Sequence, residues 1–162
     1  MIDDLLSRLD KMFAYDPQTG IVTRRIARGN RAKGSIVGSV STHGHLNVSI
    51  DGGMTGVHRV AWALYYGHWP DRDIDHKNGV PSDNRICNLR LATVSENLAN
   101  SKMYASNTSG FRGVRVQGRQ IIARVRVRGK LLYLGQFNSK EAAHEAYQKA
   151  AKYHFGEFAR GH

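Results

Sequence analysis

Asp75 and His76 stand side by side, Asn88 follows twelve residues after the histidine, and Asn97 nine after that. A carboxylate, an imidazole and two amides are the groups that hydrolysis of a phosphodiester calls for. The reaction needs an activated water, a cation on the phosphate oxygens and help for the departing oxygen. A histidine near its ordinary pKa takes a proton from water at neutral pH. A hard cation such as Mg²⁺ prefers oxygen ligands and keeps several waters, so one carboxylate and one amide oxygen suffice to hold it. The stretch from Asp73 to Asn100 is therefore read as a one-metal hydrolytic centre, to which the rest of the chain brings the substrate.

Local pattern says how these groups are carried. Asp73–His76 reads as a strand. Asn78-Gly79-Val80-Pro81-Ser82-Asp83-Asn84 is rich in turn formers. Asn88-Leu89-Arg90-Leu91 reads as a short returning strand, and Arg90 on it as a phosphate contact. Thr93 and Glu96 have the spacing of a capping box, so a helix carrying Asn97 in its first turns should start there.

These residues resemble a known family. Asp75-His76, Asn88 and Asn97 look like the ββα-metal core of HNH endonucleases, in the variant whose final histidine is asparagine. Val57-His58-Arg59-Val60-Ala61-Trp62, and Asp83-Asn84-Arg85 through Asn88-Leu89-Arg90, look like phage and intron-encoded HNH homing endonucleases. The resemblance covers roughly residues 13 to 100. It implies Asp75 and Asn97 as metal ligands, His76 as general base, and Asn88 as the residue that braces the catalytic loop and orients His76. Mg²⁺ or Mn²⁺ is the implied cofactor. Many members carry zinc-binding cysteine pairs, but Cys87 is the single cysteine here, so structural zinc on four cysteines is excluded.

The chain has 162 residues, 41% of them hydrophobic, enough for one ordinary domain or two small ones. A net charge of +11 and a pI near 10.2 point to an anionic partner, nucleic acid first and an anionic membrane second, and the nuclease reading makes it double-stranded DNA. No apolar run is long enough for a membrane span, the acidic start Met1-Ile2-Asp3-Asp4 lacks a secretory pattern, and the lone cysteine suits a reducing cytoplasm, that of a bacterium or a phage-infected host. No protein partner is implied, and the protein is read as a monomer or a dimer on DNA.

Before the central stretch, apolar residues from Ile2 to Phe13 recur at helical spacing and predict a helix over 3–13. Tyr15 to Val22 reads as a hairpin, and residues 36–40 and 46–50 as two strands. Arg24, Arg25, Arg28, Arg31 and Lys33 have two open readings, a solvated loop or a phosphate-contacting arm. His43 and His45 read as incidental loop histidines. His58 reads as structural, at the start of a helix running to Tyr66 with Val60, Ala61, Leu64 and Tyr65 inward. Trp62 and Trp69 read as core or as a packing wedge.

The composition then changes. Residues 103–110 read as a polar linker between a domain over 1–102 and another over 111–162. From Phe111 to Lys130 there are seven basic residues and no acidic one. Alternation predicts strands near 114–116, 123–128 and 131–137, with the arginines from 124 to 128 on one face. Ser139 should cap a helix to about Tyr153, its face of Ala142, Ala143, Ala146, Tyr147, Ala150 and Ala151 lying close on the sheet. The free basic face fits the major groove.

A second resemblance covers about 109 to 160. Gly110-Phe111-Arg112-Gly113-Val114-Arg115, Leu134-Gly135-Gln136-Phe137, Glu141 to Ala151 and Phe155-Gly156-Glu157-Phe158-Ala159 look like the APETALA/ethylene-response-factor DNA-binding domain. That family implies a three-stranded antiparallel sheet packed on one helix. Arg112, Arg115, Arg124, Arg126 and Tyr133 match its contact positions, and Arg119 joins them as a further basic residue of the same stretch. Ile121-Ile122 and Tyr133 stand where tryptophan is common, so base preference does not carry over.

The expected fold class is thus α+β: an N-terminal ββα-metal nuclease domain with accessory strands and helices, plus the C-terminal sheet and helix. The expected function is a metal-dependent, homing-type endonuclease, phage-encoded, hydrolysing duplex DNA. The competing readings are a non-catalytic DNA-binding regulator that keeps the finger as a fold, and an RNA-directed nuclease.

Overall fold

The computed structural model describes residues 2–103 and 106–160. The chain divides between Leu91 and Ala92 into two compact units. Tyr104 and Ala105, in the expected linker, lie outside the described residues.

The first unit opens with α1 (Ile2–Met12). Leu5, Leu6 and Leu9 pack this helix on the core. Phe13 leaves the helix one residue earlier than expected and starts β1 (Phe13–Tyr15), which pairs antiparallel with β2 (Val22–Arg24). The turn between them is held by the Asp16 carboxylate, which accepts from the Gln18 amide at 2.9 Å, and by the Gly20 amide on the Asp16 carbonyl at 2.9 Å. A second sheet has the order β3 (Ser39–Val40), β4 (Leu46–Ile50), β5 (Gly53–Gly56). The strand expected over 36–40 is shorter: Ile36 makes only an isolated bridge to Thr23. Gly38 separates the two pieces at φ 128°, a conformation that interrupts the pleat and that side chains rarely adopt.

α2 (Val57–Tyr66) buries Val57, Val60, Ala61, Trp62 and Ala63, and ends on Gly67 at φ 70°. Tyr65, expected inward, is half exposed; Trp62 takes the buried position instead. Trp69 packs against the same core, with the Arg59 guanidinium 5.3 Å from its ring. β6 (Asp73–His76) and β7 (Leu89–Ala92) form a two-stranded sheet joined by a long loop that ends in a 3₁₀ turn over Ile86–Asn88.

In the second unit, α3 (Val94–Asn100) starts with the expected capping box: Thr93 Oγ1 accepts from the Glu96 amide, and the Glu96 carboxylate accepts from the Thr93 amide at 2.7 Å. Ala99 of this helix is buried with Val125, Tyr147, Ala151 and Phe155. β8 (Val114–Gln117), β9 (Gln120–Val127) and β10 (Lys130–Phe137) make an antiparallel sheet with β9 central. α4 (Lys140–Phe155) is capped by Ser139 Oγ, which accepts from the Ala142 amide at 3.1 Å. Ala143, Tyr147, Ala151 and Phe155 are its buried residues, while Ala142 is exposed rather than inward. Among the described residues no helix is long and apolar enough to cross a membrane.

Candidate active site

Three consecutive residues of β6, Ile74, Asp75 and His76, are buried, each within 5% of full burial. Ile74 joins the hydrophobic core of the first unit. Asp75 is held across the sheet by β7: Arg90 Nε donates to Asp75 Oδ2 at 2.8 Å, and both side chains are less than a tenth exposed. Arg90, expected on phosphate, is thus engaged with the carboxylate beside the histidine. Such a buried pair is held together because losing either partner leaves a charge in a low-dielectric place.

The loop after His76 is tied down by its own polar side chains. Asn88 Oδ1 accepts from the Asn78 amide at 3.0 Å, and Asn88 Nδ2 donates to the Asp83 carbonyl at 2.7 Å. Asn88 therefore links the two ends of the loop, Asn78 and Asp83. Asn78 Nδ2 donates to Asp83 Oδ2 at 2.7 Å, and Arg85 grips the same carboxylate with Nε and Nη2 at 2.8 and 2.6 Å. That fork holds the Asp83 carboxyl down to about 2.

His76 Nε2 bonds to the Oδ1 of Asn84 at 3.0 Å. An amide oxygen only accepts, so this nitrogen carries the proton of the neutral ring and Nδ1 carries the lone pair. Asn84 is itself fixed from behind. It is 1% exposed, its carbonyl accepts from Tyr15 Oη at 2.7 Å, and the Ile86 amide bonds to the Pro17 carbonyl at 3.1 Å. Gly20, at φ 76°, lies so close that a Cβ there would sit 2.5 Å from the Arg85 amide nitrogen. The β1–β2 hairpin is thus the back wall of the loop, and burial there pushes the Tyr15 phenol up. The family resemblance implies Asn88 as the residue that orients His76; the hydrogen bond to the ring comes from Asn84, while Asn88 bonds across the loop. The signal for Asn84 was present, an asparagine within the Asp83-Asn84-Arg85 word, but nothing in a linear pattern separates a ring partner from a turn former.

Two more imidazoles face His76. His58, the second residue of α2, and His45, at the entry to β4, have ring centroids 5.4 and 5.5 Å from that of His76, and 5.3 Å from each other. One ring nitrogen from each lies within 4.8 Å of the other two, the one such histidine, cysteine or carboxylate grouping among the described residues. Burial pushes His58 down to about 3, with the His76 and His45 rings adding to the fall. His45 is lowered by burial and then by His76 and His43. His76 is lowered by burial, against the opposing pull of the Asn84 bond, Asp75 and Asp83. All three are neutral near pH 7. His45, read from the sequence as incidental, and His58, read as structural, thus both lie against the His76 ring. His43 stays exposed and outside it.

Asn97 lies half-buried on α3, in the second unit. That unit also carries the expected DNA contacts. Ala123 and Val125 turn toward α4, so Arg124 and Arg126 face the other way. Register sets Tyr133 opposite Arg124, Leu131 opposite Arg126 and Arg115 opposite Ile122, which puts Arg115, Arg124, Arg126 and Tyr133 on one face. Arg128 leaves that face, because with φ 48° it forms the β9–β10 turn. Arg119 is exposed on the β8–β9 turn. Arg112 is elsewhere: Nη2 donates to the Leu98 carbonyl at 2.8 Å and to Ser101 Oγ at 3.0 Å, closing the end of α3. Arg25, of the basic segment after β2, donates Nε to the Phe13 carbonyl at 2.8 Å, and Arg24 is buried; residues 25–34 are otherwise exposed.

Residues 55–99 match the family model described as HNH endonuclease. The match runs from the end of β5 through α2, β6, the braced loop and β7 into α3. No curated protein matches the chain.

Proposed function

We propose that this protein is a metal-dependent endonuclease that hydrolyses phosphodiester bonds in duplex DNA, with His76 as general base. The observation that carries the reading is the His76 imidazole, held by Asn84 next to buried Asp75 in the middle of the segment similar to HNH endonucleases.

The donor chemistry fits a hard cation. Asp75 is a carboxylate on the strand that bears the base, and the resemblance of the sequence to the family adds the amide oxygen of Asn97. Bound Mg²⁺, or Mn²⁺ in its place, supplies positive charge to the phosphate and to the departing 3′ oxygen. The protein's own groups do the rest. His76 Nδ1 takes a proton from the attacking water as its oxygen bonds to phosphorus and the 3′ oxygen leaves. Asn84 keeps Nε2 in place through that change, since the protonated ring still donates there. Asp75 and Asp83 favour the imidazolium electrostatically. Asn88 holds the loop between the strands rigid during the step.

The basic strand face of the second unit, with Arg115, Arg124, Arg126 and Tyr133, together with Arg119 on the adjoining turn, is the DNA-targeting surface in this reading. The family resemblance favours a homing-type enzyme of a mobile element such as a phage.

The test is supercoiled DNA incubated with Mg²⁺, with EDTA, and with the His76→Ala protein. General-base catalysis contributes about 10²–10⁴-fold, so His76→Ala should lower the rate by that order while DNA binding persists. Normal cleavage by His76→Ala overturns the assignment. The second reading is a non-catalytic DNA-binding regulator, and the Asp75–Arg90 ion pair favours it, because a paired buried carboxylate is also what a purely structural strand pair contains. DNA binding without cleavage under several divalent metals would decide for it.

A further inference from the structure

The three-imidazole cluster is not accounted for by hydrolysis at Asp75 and His76. One base needs one imidazole, yet His45 and His58 come from separate elements, the entry to β4 and the start of α2, to meet it. The centroid distances of 5.3, 5.4 and 5.5 Å make a nearly equilateral triangle. The Nδ1 atoms of His45 and His58 are buried without a hydrogen-bond partner. A buried polar atom in that state is costly and calls for an explanation, an ion among them. His58 is also given its place by a missing side chain: a Cβ on Gly56 would lie 2.3 Å from His58 Cε1.

We propose that His45, His58 and His76 form a nitrogen-ligand site for a borderline transition cation of the Zn²⁺ or Co²⁺ class, separate in chemistry from the oxygen ligands that suit Mg²⁺. Imidazole prefers such cations, whereas Mg²⁺ prefers oxygen. Three protein nitrogens leave a fourth position open, as in non-structural zinc sites. The ring nitrogens lie within 4.8 Å of one another. Tetrahedral ligation at ~2.0–2.1 Å brings them to about 3.3 Å, so the rings must close by up to roughly 1.5 Å, a side-chain rotation. Asn84, 3.0 Å from Nε2 of His76, is the kind of outer partner that orients a ligating histidine. Occupancy takes the lone pair of His76. On the reading that His76 is the base, Zn²⁺ is then an inhibitor of Mg²⁺-supported cleavage rather than a substitute for Mg²⁺.

The test is titration of the full-length protein with Co²⁺, read by visible absorption without DNA. The expected result is one equivalent bound, with the intense bands of a low-coordinate ion, displaced by Zn²⁺ and unaffected by millimolar Mg²⁺. His45→Ala and His58→Gln should each weaken binding at least tenfold. Gly56→Ala should do the same by crowding the His58 ring; its φ of −71° suits alanine, so the fold has no backbone reason to suffer. Tryptophan fluorescence checks that each variant is folded. A spectrum no different from hydrated Co²⁺, or one unchanged in folded His45→Ala and Gly56→Ala proteins, overturns the proposal. Ligation is read without any cleavage, so its failure is distinct from failure of the nuclease assignment. If Co²⁺ binds as described but Zn²⁺ leaves Mg²⁺-supported cleavage untouched, the site stands and the role of His76 as base falls.

Discussion

Replacing Arg90 by methionine isolates the interaction that holds the strand pair of the site together. Arg90 and Asp75 are 2.8 Å apart, with side chains 9% and 5% exposed. Methionine keeps most of the arginine stem and removes the charge. The Asp75 carboxylate then loses the Arg90 guanidinium in a place where water cannot stand in fully, and breaking a buried pair this way costs about 3–5 kcal/mol. That is a large part of the ~5–15 kcal/mol that stabilises an ordinary domain. With an m-value of ~1–2 kcal/mol/M for urea, the midpoint should fall by roughly 1.5–5 M. Both tryptophans, Trp62 and Trp69, lie in the first unit, so their fluorescence reports that unit's unfolding alone. Asp75→Asn combined with Arg90→Met should recover most of the loss, because neither charge is left stranded, and the double-mutant cycle gives the coupling directly. A loss below ~1 kcal/mol for Arg90→Met, the value of an exposed pair, would refute the reasoning. So would a double variant as unstable as the single one.

Asn84→Ala should cost about 1–3 kcal/mol, since the buried Nε2–H of His76 loses an acceptor, and should also slow cleavage; an unchanged urea midpoint counts against Asn84 as the group that holds the ring. Acid should destabilise the first unit. His58 falls from its ordinary 6.5 to about 3 on folding, so the unfolded chain binds the proton first, and stability that is full above pH 6.5 is lost as pH drops toward 3. At pH 5 this group alone accounts for about 2 kcal/mol, and His58→Gln should flatten the dependence of the midpoint between pH 7 and pH 5. Arg124→Ala with Arg126→Ala should weaken DNA binding and make its salt slope shallower by ~0.9 for each phosphate no longer neutralised, measured by fluorescence anisotropy at several salt concentrations; identical slopes would remove the β9 face from the interface.

Much of the architecture is legible in the residues alone because it depends on near neighbours. The Thr93–Glu96 capping box closes within one helical turn. Alternation from Ala123 to Val127 sets Arg124 and Arg126 on one face whatever lies beyond them, since strand side chains alternate by geometry. Asp75, His76 and Asn88 are marked by type and spacing, and so is the polar loop that Asn88 spans. Positive-φ positions are harder to foresee. Gly38 cuts the expected strand, and Arg128, a non-glycine at φ 48°, turns off the face that alternation assigned it.

Which side chains meet across long sequence distances follows from packing instead. His45, His58 and His76 are on three elements with no shared period, so their convergence follows from how β4, α2 and β6 pack around one core. Tyr15 and Gly20 support Asn84 from a hairpin more than sixty residues away. Arg90 and Arg112 carry the same side chain as the arginines of the free strand face. Burial turns Arg90 to Asp75, and proximity to α3 turns Arg112 to a helix end. Residue types and their local order set the kinds of chemistry available and the local frames that carry them. Packing decided the partners, because a buried charge or ring must be satisfied by whatever group the fold brings beside it.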